Sequence, residues 1–181
     1  MIKVHLGCGK RNFGEDWFHV DGSTNYQHIK HHDIINLPFN NEDVSLIYAS
    51  HVIEYFDRQE IAHVFIKWHA KLAPGGVLRL AVPNFKAMAQ LYLEKDEPLG
   101  SFLGPLYGRM TMNNNFIYHK TVYDFLSLEN AITDVGFTNV REYDWHTTEP
   151  HNKFDDHSQA YIPHLDKENG VCISLNVECN K

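Results

Sequence analysis

The chain has 181 residues, of which 23 are acidic and 16 basic, so its formal net charge is -7 with its 13 histidines neutral. This length fits a single domain covering residues 1–181, and 43% hydrophobic with 13% aromatic residues excludes general disorder. The acidic balance disfavours nucleic acid as a partner, because nucleic-acid binders present a basic face to the phosphates.

The first half of the chain alternates short apolar runs with amphipathic segments. Four strands are predicted from β-branched and aromatic runs that end at turn residues, namely 2–6, 17–20, 33–35 and 44–50. Apolar residues at helical spacing predict a helix over 58–72, which Pro74-Gly75-Gly76 ends. A fifth strand over 77–82 and a helix from about 84 to 95 follow. This order predicts an α/β fold of the Rossmann-like, doubly wound kind, with a mostly parallel seven-stranded sheet.

The second half is less regular. Residues 96–120 show little periodicity and are predicted to form a long loop on the substrate side. A helix is predicted over 127–135, with Ser127 and Asn130 at capping-box-like spacing and Gly136 at its C-terminal end. Strands over 138–145 and 171–179 are expected to close the sheet as an antiparallel hairpin. The polar segment 146–170 joins them as a second substrate-side loop, and its histidines are predicted to be surface residues: His146, His151, His157 and His164.

The cysteines and the apolar stretches indicate in which cellular compartment the protein is expected. Cys8, Cys172 and Cys179 are too scattered for a disulfide framework or a zinc knuckle, so reduced thiols and a cytoplasmic location are expected. The N-terminus lacks the basic and apolar regions of a signal peptide. The most apolar stretch, 75–83, is short and contains Arg79, so we expect no membrane association.

A glycine pair ends the first predicted strand, and an acidic residue ends the second. Gly7 and Gly9 let the backbone approach a ligand, and Asp21 can accept hydrogen bonds from both hydroxyls of a ribose. The dinucleotide fingerprint GxGxxG fails because Asn12 stands where its third glycine belongs, which disfavours a nicotinamide enzyme. No P-loop motif is present.

Several motifs in a fixed order resemble one enzyme family. They are Leu6-Gly7-Cys8-Gly9, then Asp21, then residues 33–39, 44–55 and 72–76. This series is similar to class I S-adenosylmethionine-dependent methyltransferases, and most similar to a compact type 11 branch with a shortened first helix. The resemblance covers about residues 2–95 and continues loosely into the last hairpin.

The resemblance implies S-adenosyl-L-methionine as the cofactor. Ten positions that match the family's motifs would bind it: Leu6, Gly7, Cys8, Gly9, Asp21, Gly22, Asp33, Ile34, Ser50 and His51. The glycine loop would lie against the methionine portion, Asp21 would hold the ribose hydroxyls, and Asp33 would accept from the exocyclic amine of adenine. The chain departs from fuller family motifs at Lys10-Arg11, where a further glycine is expected.

Methyl transfer requires in-line positioning, and a base only if the nucleophile must lose a proton. His51, expected beside the sulfonium, is the best-placed base, and His119 is a second catalytic candidate that would face the acceptor from the 96–120 segment. His51 and Glu54 have an i, i+3 spacing that metal sites also use, but no second such pair lies near, so no metal is expected.

The acceptor is expected to be a small molecule or a glycan. The sequence is compatible with methylation of an oxygen, a nitrogen or a carbon atom of the acceptor. It is also compatible with a homo-oligomer. The alternative from another class is a non-catalytic protein that binds S-adenosylmethionine or S-adenosylhomocysteine, or an interaction protein.

Several of the candidate site residues also have a purely structural interpretation. Gly7 and Gly9 could simply form a tight turn, and Asp21 could be an exposed turn residue. Asp33 could pair locally with its histidine neighbours, His51 could cap a helix, and His119 could be an ordinary loop histidine.

Overall fold

A computed structural model describes residues 1–181. It contains four helices: α1 Ile61–Lys71, α2 Phe85–Glu94, α3 Gly100–Tyr107 and α4 Phe125–Thr133. Two 3₁₀ turns cover Ile53–Tyr55 and His157–Gln159. The strands are, in chain order, β1 Ile2–Leu6, β2 Trp17–Val20, β3 Ile29–His31, β4 Val44–Ser50, β5 Leu72–Pro83, β6 Arg109–Met112, β7 Asn115–Tyr118, β8 Thr138–Glu142, β9 Tyr161–Ile162, β10 Val171–Cys172 and β11 Ser174–Asn180. No helix has the length and apolar character needed to cross a membrane.

Seven of these strands form one sheet in the order β3-β2-β1-β4-β5-β11-β8. The first five are parallel, and β11 runs antiparallel to both of its neighbours. The predicted α/β, doubly wound sheet with an antiparallel end is therefore confirmed. Strand order reverses between β1 and β4, which is where open sheets of this kind bind ligands beyond their strand ends.

The main core lies on one face of this sheet. Helix α1 buries Ile61, Val64, Phe65 and Trp68, which share one side because they are three or four residues apart. Helix α4 adds Leu128 and Ile132 to the same cluster.

Three predicted boundaries in the first half are wrong. The third strand is Ile29–His31 rather than 33–35, because Asp33 Oδ1 accepts from the backbone N–H groups of Ile35 and Asn36 and folds that segment into a turn. Helix α1 is assigned from Ile61 rather than from residue 58, and residues 58–60 form a turn that leads into it, capped by the contact of the Asp57 backbone N–H with the Glu60 carboxylate. The fifth strand begins at Leu72 rather than at residue 77, so Pro74-Gly75-Gly76 lies inside β5, and the pairing register with β4 shifts there.

The prediction of an irregular loop over 96–120 is also wrong. This segment contains α3 and a two-stranded hairpin of β6 and β7. Asn113 and Asn114 connect the two strands with positive φ angles of 48° and 70°, the backbone that two-residue hairpin turns require.

The boundaries near the C-terminus need smaller corrections. Helix α4 begins at Phe125, and its capping box pairs Asp124 with Ser127 rather than Ser127 with Asn130. The strand predicted over 138–145 ends at Glu142. The strand predicted over 171–179 is divided into β10 and β11 at Ile173. The backbone N–H of Ile173 donates to the Ala160 carbonyl instead of to a strand of the main sheet.

A buried polar network fixes the 146–170 segment against the sheet. Asp156 Oδ2 accepts from the Tyr48 hydroxyl at 2.7 Å and lies 3.2 Å from Nδ1 of His151, while Oδ1 accepts from the backbone and hydroxyl of Ser158. Burial opposes ionisation of Asp156, but the hydrogen bonds from His151 and Ser158 outweigh it and lower its pKa to about 2. His151 is fully buried, so its predicted place on the surface is wrong.

Two further buried histidines make stability depend on pH. His5 and His19 are each 2% exposed. Burial lowers the pKa of both rings, that of His19 to about 4 with repulsion from His28 adding to the effect. Nε2 of His19 accepts from the backbone N–H of Phe13, which requires the neutral ring.

The free energy of unfolding is therefore expected to fall as the pH drops from 6.5 towards 4. In that interval the unfolded chain binds protons that the folded chain excludes, so each such histidine contributes a slope approaching about 1.4 kcal/mol per pH unit. Urea denaturation at pH 7, 5.5 and 4.5 measures this slope, and His19→Asn should flatten it. Equal stability at the three pH values would contradict the expectation.

Candidate functional site

A cavity of about 850 Å³ opens at the carboxyl ends of β1, β2 and β4. It therefore lies at the reversal of strand order. Six of the predicted site residues line it: Gly7, Gly9, Asp21, Ser50, His51 and His119.

The backbone after β1 requires glycine. Gly7 has a φ of +62°, and a Cβ there would overlap Cγ2 of Val52. Gly9 has a φ of +52°, and nothing lies within 4 Å of the position its Cβ would take. The loop thus turns sharply and leaves open space beside Gly9.

Asp21 connects the tips of β1 and β2. Its Oδ2 accepts from the Gly9 backbone N–H at 2.8 Å, and its Oδ1 accepts from that of Ser23 at 2.7 Å. The residue is only 6% exposed, so the interpretation as an exposed turn residue is wrong. Its carboxylate is held rigidly at the cavity wall.

The other predicted cofactor-binding residues do not line the cavity. Leu6 and Cys8 have fully buried side chains, and burial raises the pKa of the Cys8 thiol to about 12. Both carboxylate oxygens of Asp33 are used within its own turn, and the Ile34 carbonyl accepts from Nε1 of Trp68. Their roles toward a cofactor stay predictions.

Gly22, another of those residues, lies beneath the tip of the β6–β7 hairpin. A Cβ at this position would be 2.9 Å from Sδ of Met112, and its carbonyl accepts from Nδ2 of Asn113 at 2.7 Å. The hairpin therefore reaches across to the loop that carries Asp21.

His51 and His119 line the cavity, and the buried side chain of Glu54 lies close to both. Oε1 of the fully buried Glu54 lies 3.1 Å from Nδ1 of His51 and 3.8 Å from Nε2 of His119. Nε2 of His51 is 3.2 Å from the His157 carbonyl oxygen. Nδ1 of His119 donates to the Pro105 carbonyl at 2.9 Å, since a carbonyl can only accept.

Sequence reasoning did not identify Glu54 as a site residue. Its i, i+3 spacing from His51 is the available signal, but in the sequence that spacing is associated only with metal sites. No group of three or more His, Cys, Asp or Glu side chains is arranged to hold a metal ion.

The remaining walls come from the two segments predicted to lie on the substrate side. Residues 96–120 contribute Glu97, Met110 and Met112, and residues 146–170 contribute His157 and Tyr161. Arg11, Tyr26 and Tyr55, none of which the sequence analysis predicted as a site residue, also line the cavity. Tyr26 belongs to no motif, whereas Arg11 stands where the family motif expects a glycine and Tyr55 ends the 44–55 motif, but the motifs assign neither of them a role.

Comparison with known proteins supports the fold. No family model and no curated protein matches the sequence. The structure is similar to an S-adenosylmethionine-dependent methyltransferase from Mesorhizobium loti, with a TM-score of 0.55 and 15% identity over 99% of this chain and 90% of that one. It is also similar to such a methyltransferase from Archaeoglobus fulgidus, with a TM-score of 0.56 and 12% identity over 99% of this chain and 86% of that one. For a further one from Methanosarcina mazei, the TM-score is 0.58 and the identity 15% over 98% of this chain and 91% of that one. The chain has the fold of the class I methyltransferases, and the type 11 branch stays a prediction.

Proposed function

We propose that this protein is an S-adenosylmethionine-dependent methyltransferase acting on a small molecule or a glycan. The observation that carries the proposal is the position of Asp21. Its carboxylate is held at the tip of β2, beside the glycine loop and at the reversal of strand order. Parallel sheets of this kind bind nucleotides at that place.

The residues present fit the cofactor. An ionised carboxylate has about four acceptor sites, and Asp21 uses two of them on Gly9 and Ser23. The other two are available to a pair of ribose hydroxyls. Arg11 lines the cavity and forms no ion pair with an acidic side chain, so its guanidinium is available to a carboxylate such as that of the methionine portion.

Chemistry on the acceptor would be assisted by histidines on two walls. S-adenosylmethionine, when bound, supplies a methyl group on a sulfonium leaving group. The protein's residues then have to align the acceptor, exclude water and remove a proton where the acceptor carries one. His51 lines the cavity at the end of β4, and His119 lines it after β7, so acceptors between them would meet both rings.

Calorimetric titration of the wild-type protein tests the proposal. We expect S-adenosylmethionine and S-adenosylhomocysteine to bind with a Kd on the order of 10 μM, which corresponds to about −7 kcal/mol. NAD serves as the control ligand and is expected not to bind, because the glycine fingerprint is incomplete.

Each alternative outcome has a definite meaning. The absence of binding by either cofactor form would refute the proposal. Binding without turnover on a panel of hydroxyl, amine and glycan acceptors would favour the non-catalytic alternative. We also propose the cytoplasm as its compartment, because the three cysteines are too scattered for a disulfide framework.

A further inference from the structure

One side of helix α3 forms a wall of the cavity. Ser101, Gly104, Pro105 and Gly108 line it at the three- and four-residue spacing of a single helical face. Glu97, which precedes the helix, extends this wall, and its Oε1 accepts from the Ser101 hydroxyl at 2.5 Å. A Cβ on Gly104 would have nothing within 4 Å, so the wall is open in its middle.

The carboxylate of Glu97 has no positively charged partner within the protein. It forms no ion pair, and its side chain makes only the hydrogen bond from Ser101. Histidines aside, the charged residues that line the cavity are Arg11, Asp21 and Glu97. The proposed cofactor uses the first two, for its carboxylate and its ribose. Glu97 therefore remains as the charge that faces the acceptor.

Two of the histidines that line the cavity do not cancel this negative charge. Burial lowers the pKa of the His119 ring, although the charge of Glu54 opposes that shift. Burial and repulsion from His51 lower the pKa of His157 to about 4. Both rings are therefore neutral near pH 7, and neither repels a positively charged ligand.

The α3 wall also sets a distance between two polar groups. The His119 ring lies against the far end of the wall, where its Nδ1 donates to the Pro105 carbonyl at 2.9 Å and a Cβ on Gly108 would overlap its Nε2. Gly108 is seven residues after Ser101, which is about 10 Å along a helix. The cavity lining also includes four apolar residues from the C-terminal part of the chain: Ala160, Ile162, Pro163 and Ile173.

We propose that Glu97 binds a protonated amine of the acceptor, and that the atom to be methylated lies beside His119, about 10 Å away along the α3 wall. This inference rests on the proposed function and narrows its acceptor to a molecule that carries an amine and an apolar spacer. The amine held by Glu97 has no lone pair while it is protonated, so it is not the group that receives the methyl group.

Desolvation is the physical reason for this selectivity. An acceptor that fills the cavity removes water from Glu97, and a carboxylate that loses its water without gaining a positive partner is unfavourable. An ammonium group supplies both the charge and the N–H donors, since an ionised carboxylate has about four acceptor sites and Ser101 uses one of those of Glu97. Neutral and anionic acceptors of the same shape therefore bind less tightly.

Ligand-observed nuclear magnetic resonance at pH 7 tests the proposal with three probes of similar length. Aminohexanol, hexanediol and hydroxyhexanoate share a hydroxyl at one end and carry a positive, a neutral and a negative group at the other. We expect the wild type to bind aminohexanol at least about tenfold more tightly than hexanediol, because a hydrogen bond to a charged group contributes about tenfold or more in Kd. Hydroxyhexanoate should bind more weakly than either.

Glu97→Gln removes the charge and keeps an oxygen that can accept from Ser101. This variant should lose the preference for aminohexanol over hexanediol and keep the wild-type affinity for S-adenosylhomocysteine. Glu94→Gln is the matched control, because Glu94 is exposed at the end of α2, does not line the cavity, and changes the net charge equally. It should retain the preference of the wild type.

Gly104→Leu tests the place of the spacer independently of charge. The new side chain would occupy the open middle of the wall, so aminohexanol and hexanediol should both bind more weakly than to the wild type. Gly100→Leu is its control, because a Cβ on Gly100 also has nothing within 4 Å but this residue does not line the cavity.

Three results would overturn the proposal: equal binding of the three probes by the wild type, binding of none of them, or a preference for aminohexanol that Glu97→Gln retains. A loss of S-adenosylhomocysteine affinity in Glu97→Gln would also overturn it, because this carboxylate would then bind the amino group of the cofactor. If aminohexanol binds through Glu97 but S-adenosylhomocysteine does not bind the wild type, the proposed function fails while the cation-binding role of Glu97 is supported.

Discussion

Replacing Asp21 with alanine is expected to weaken S-adenosylhomocysteine binding by a factor of at least about 100. Two hydrogen bonds from ribose hydroxyls to a charged acceptor contribute about 1.5–3 kcal/mol each, and every 1.4 kcal/mol is about tenfold in Kd. The substitution also removes the acceptors of the Gly9 and Ser23 backbone N–H groups, so the glycine loop loses its anchor.

Isothermal titration of purified variants measures this loss. Asp134→Ala is the matched control, because Asp134 is an exposed carboxylate after α4 and its loss changes the net charge equally. Asp33→Ala is a useful comparison, because Asp33 uses its carboxylate within its own turn. This substitution should weaken S-adenosylhomocysteine binding less than Asp21→Ala does. A loss of less than fivefold for Asp21→Ala, in a folded protein, would remove Asp21 from the cofactor site.

Asp156→Ala is expected to lower the free energy of unfolding by about 4 kcal/mol. Removing one member of a buried, hydrogen-bonded network leaves its partners unpaired, and such substitutions cost about 3–5 kcal/mol. Here the Tyr48 hydroxyl, the His151 ring and both donors of Ser158 lose their acceptor inside the protein.

Urea denaturation at pH 7 measures this effect, and the neighbouring residue provides the control. Asp155 has an exposed side chain that pairs only with Lys167, so Asp155→Ala should change the free energy of unfolding by less than about 1 kcal/mol. If both alanine variants were equally stable, the network would not anchor the 146–170 segment.

The sheet was predictable because its signals are local. β1, β2 and β4 begin and end at the predicted residues, since each is a short apolar run that stops at glycine, aspartate or a polar turn. Asp21 and the glycine pair were predictable for the same reason. Their places in the cavity follow from the parallel order of the strands they end.

The remaining features depend on partners far along the chain. The Asp156 carboxylate is buried by Tyr48, which is 108 residues away, and nothing within the polar run 146–170 distinguishes a buried aspartate from an exposed one. The place of Glu54 in the site could not be predicted either, because only tertiary packing brings His119 beside it. The hairpin turn at Asn113-Asn114 was an exception, since asparagine favours the positive φ angles of such turns, but the lack of periodicity in the flanking residues favoured a loop.

The hydrogen bond from Asn113 to the Gly22 carbonyl connects two segments that are 91 residues apart in the sequence. Gly22 directly follows the carboxylate proposed to recognise the sugar, and the second strand of the Asn113 hairpin leads straight into His119. A displacement of this hairpin would therefore move groups on both sides of the cavity. If the proposed function holds, this amide contact would couple nucleoside recognition to alignment of the incoming substrate.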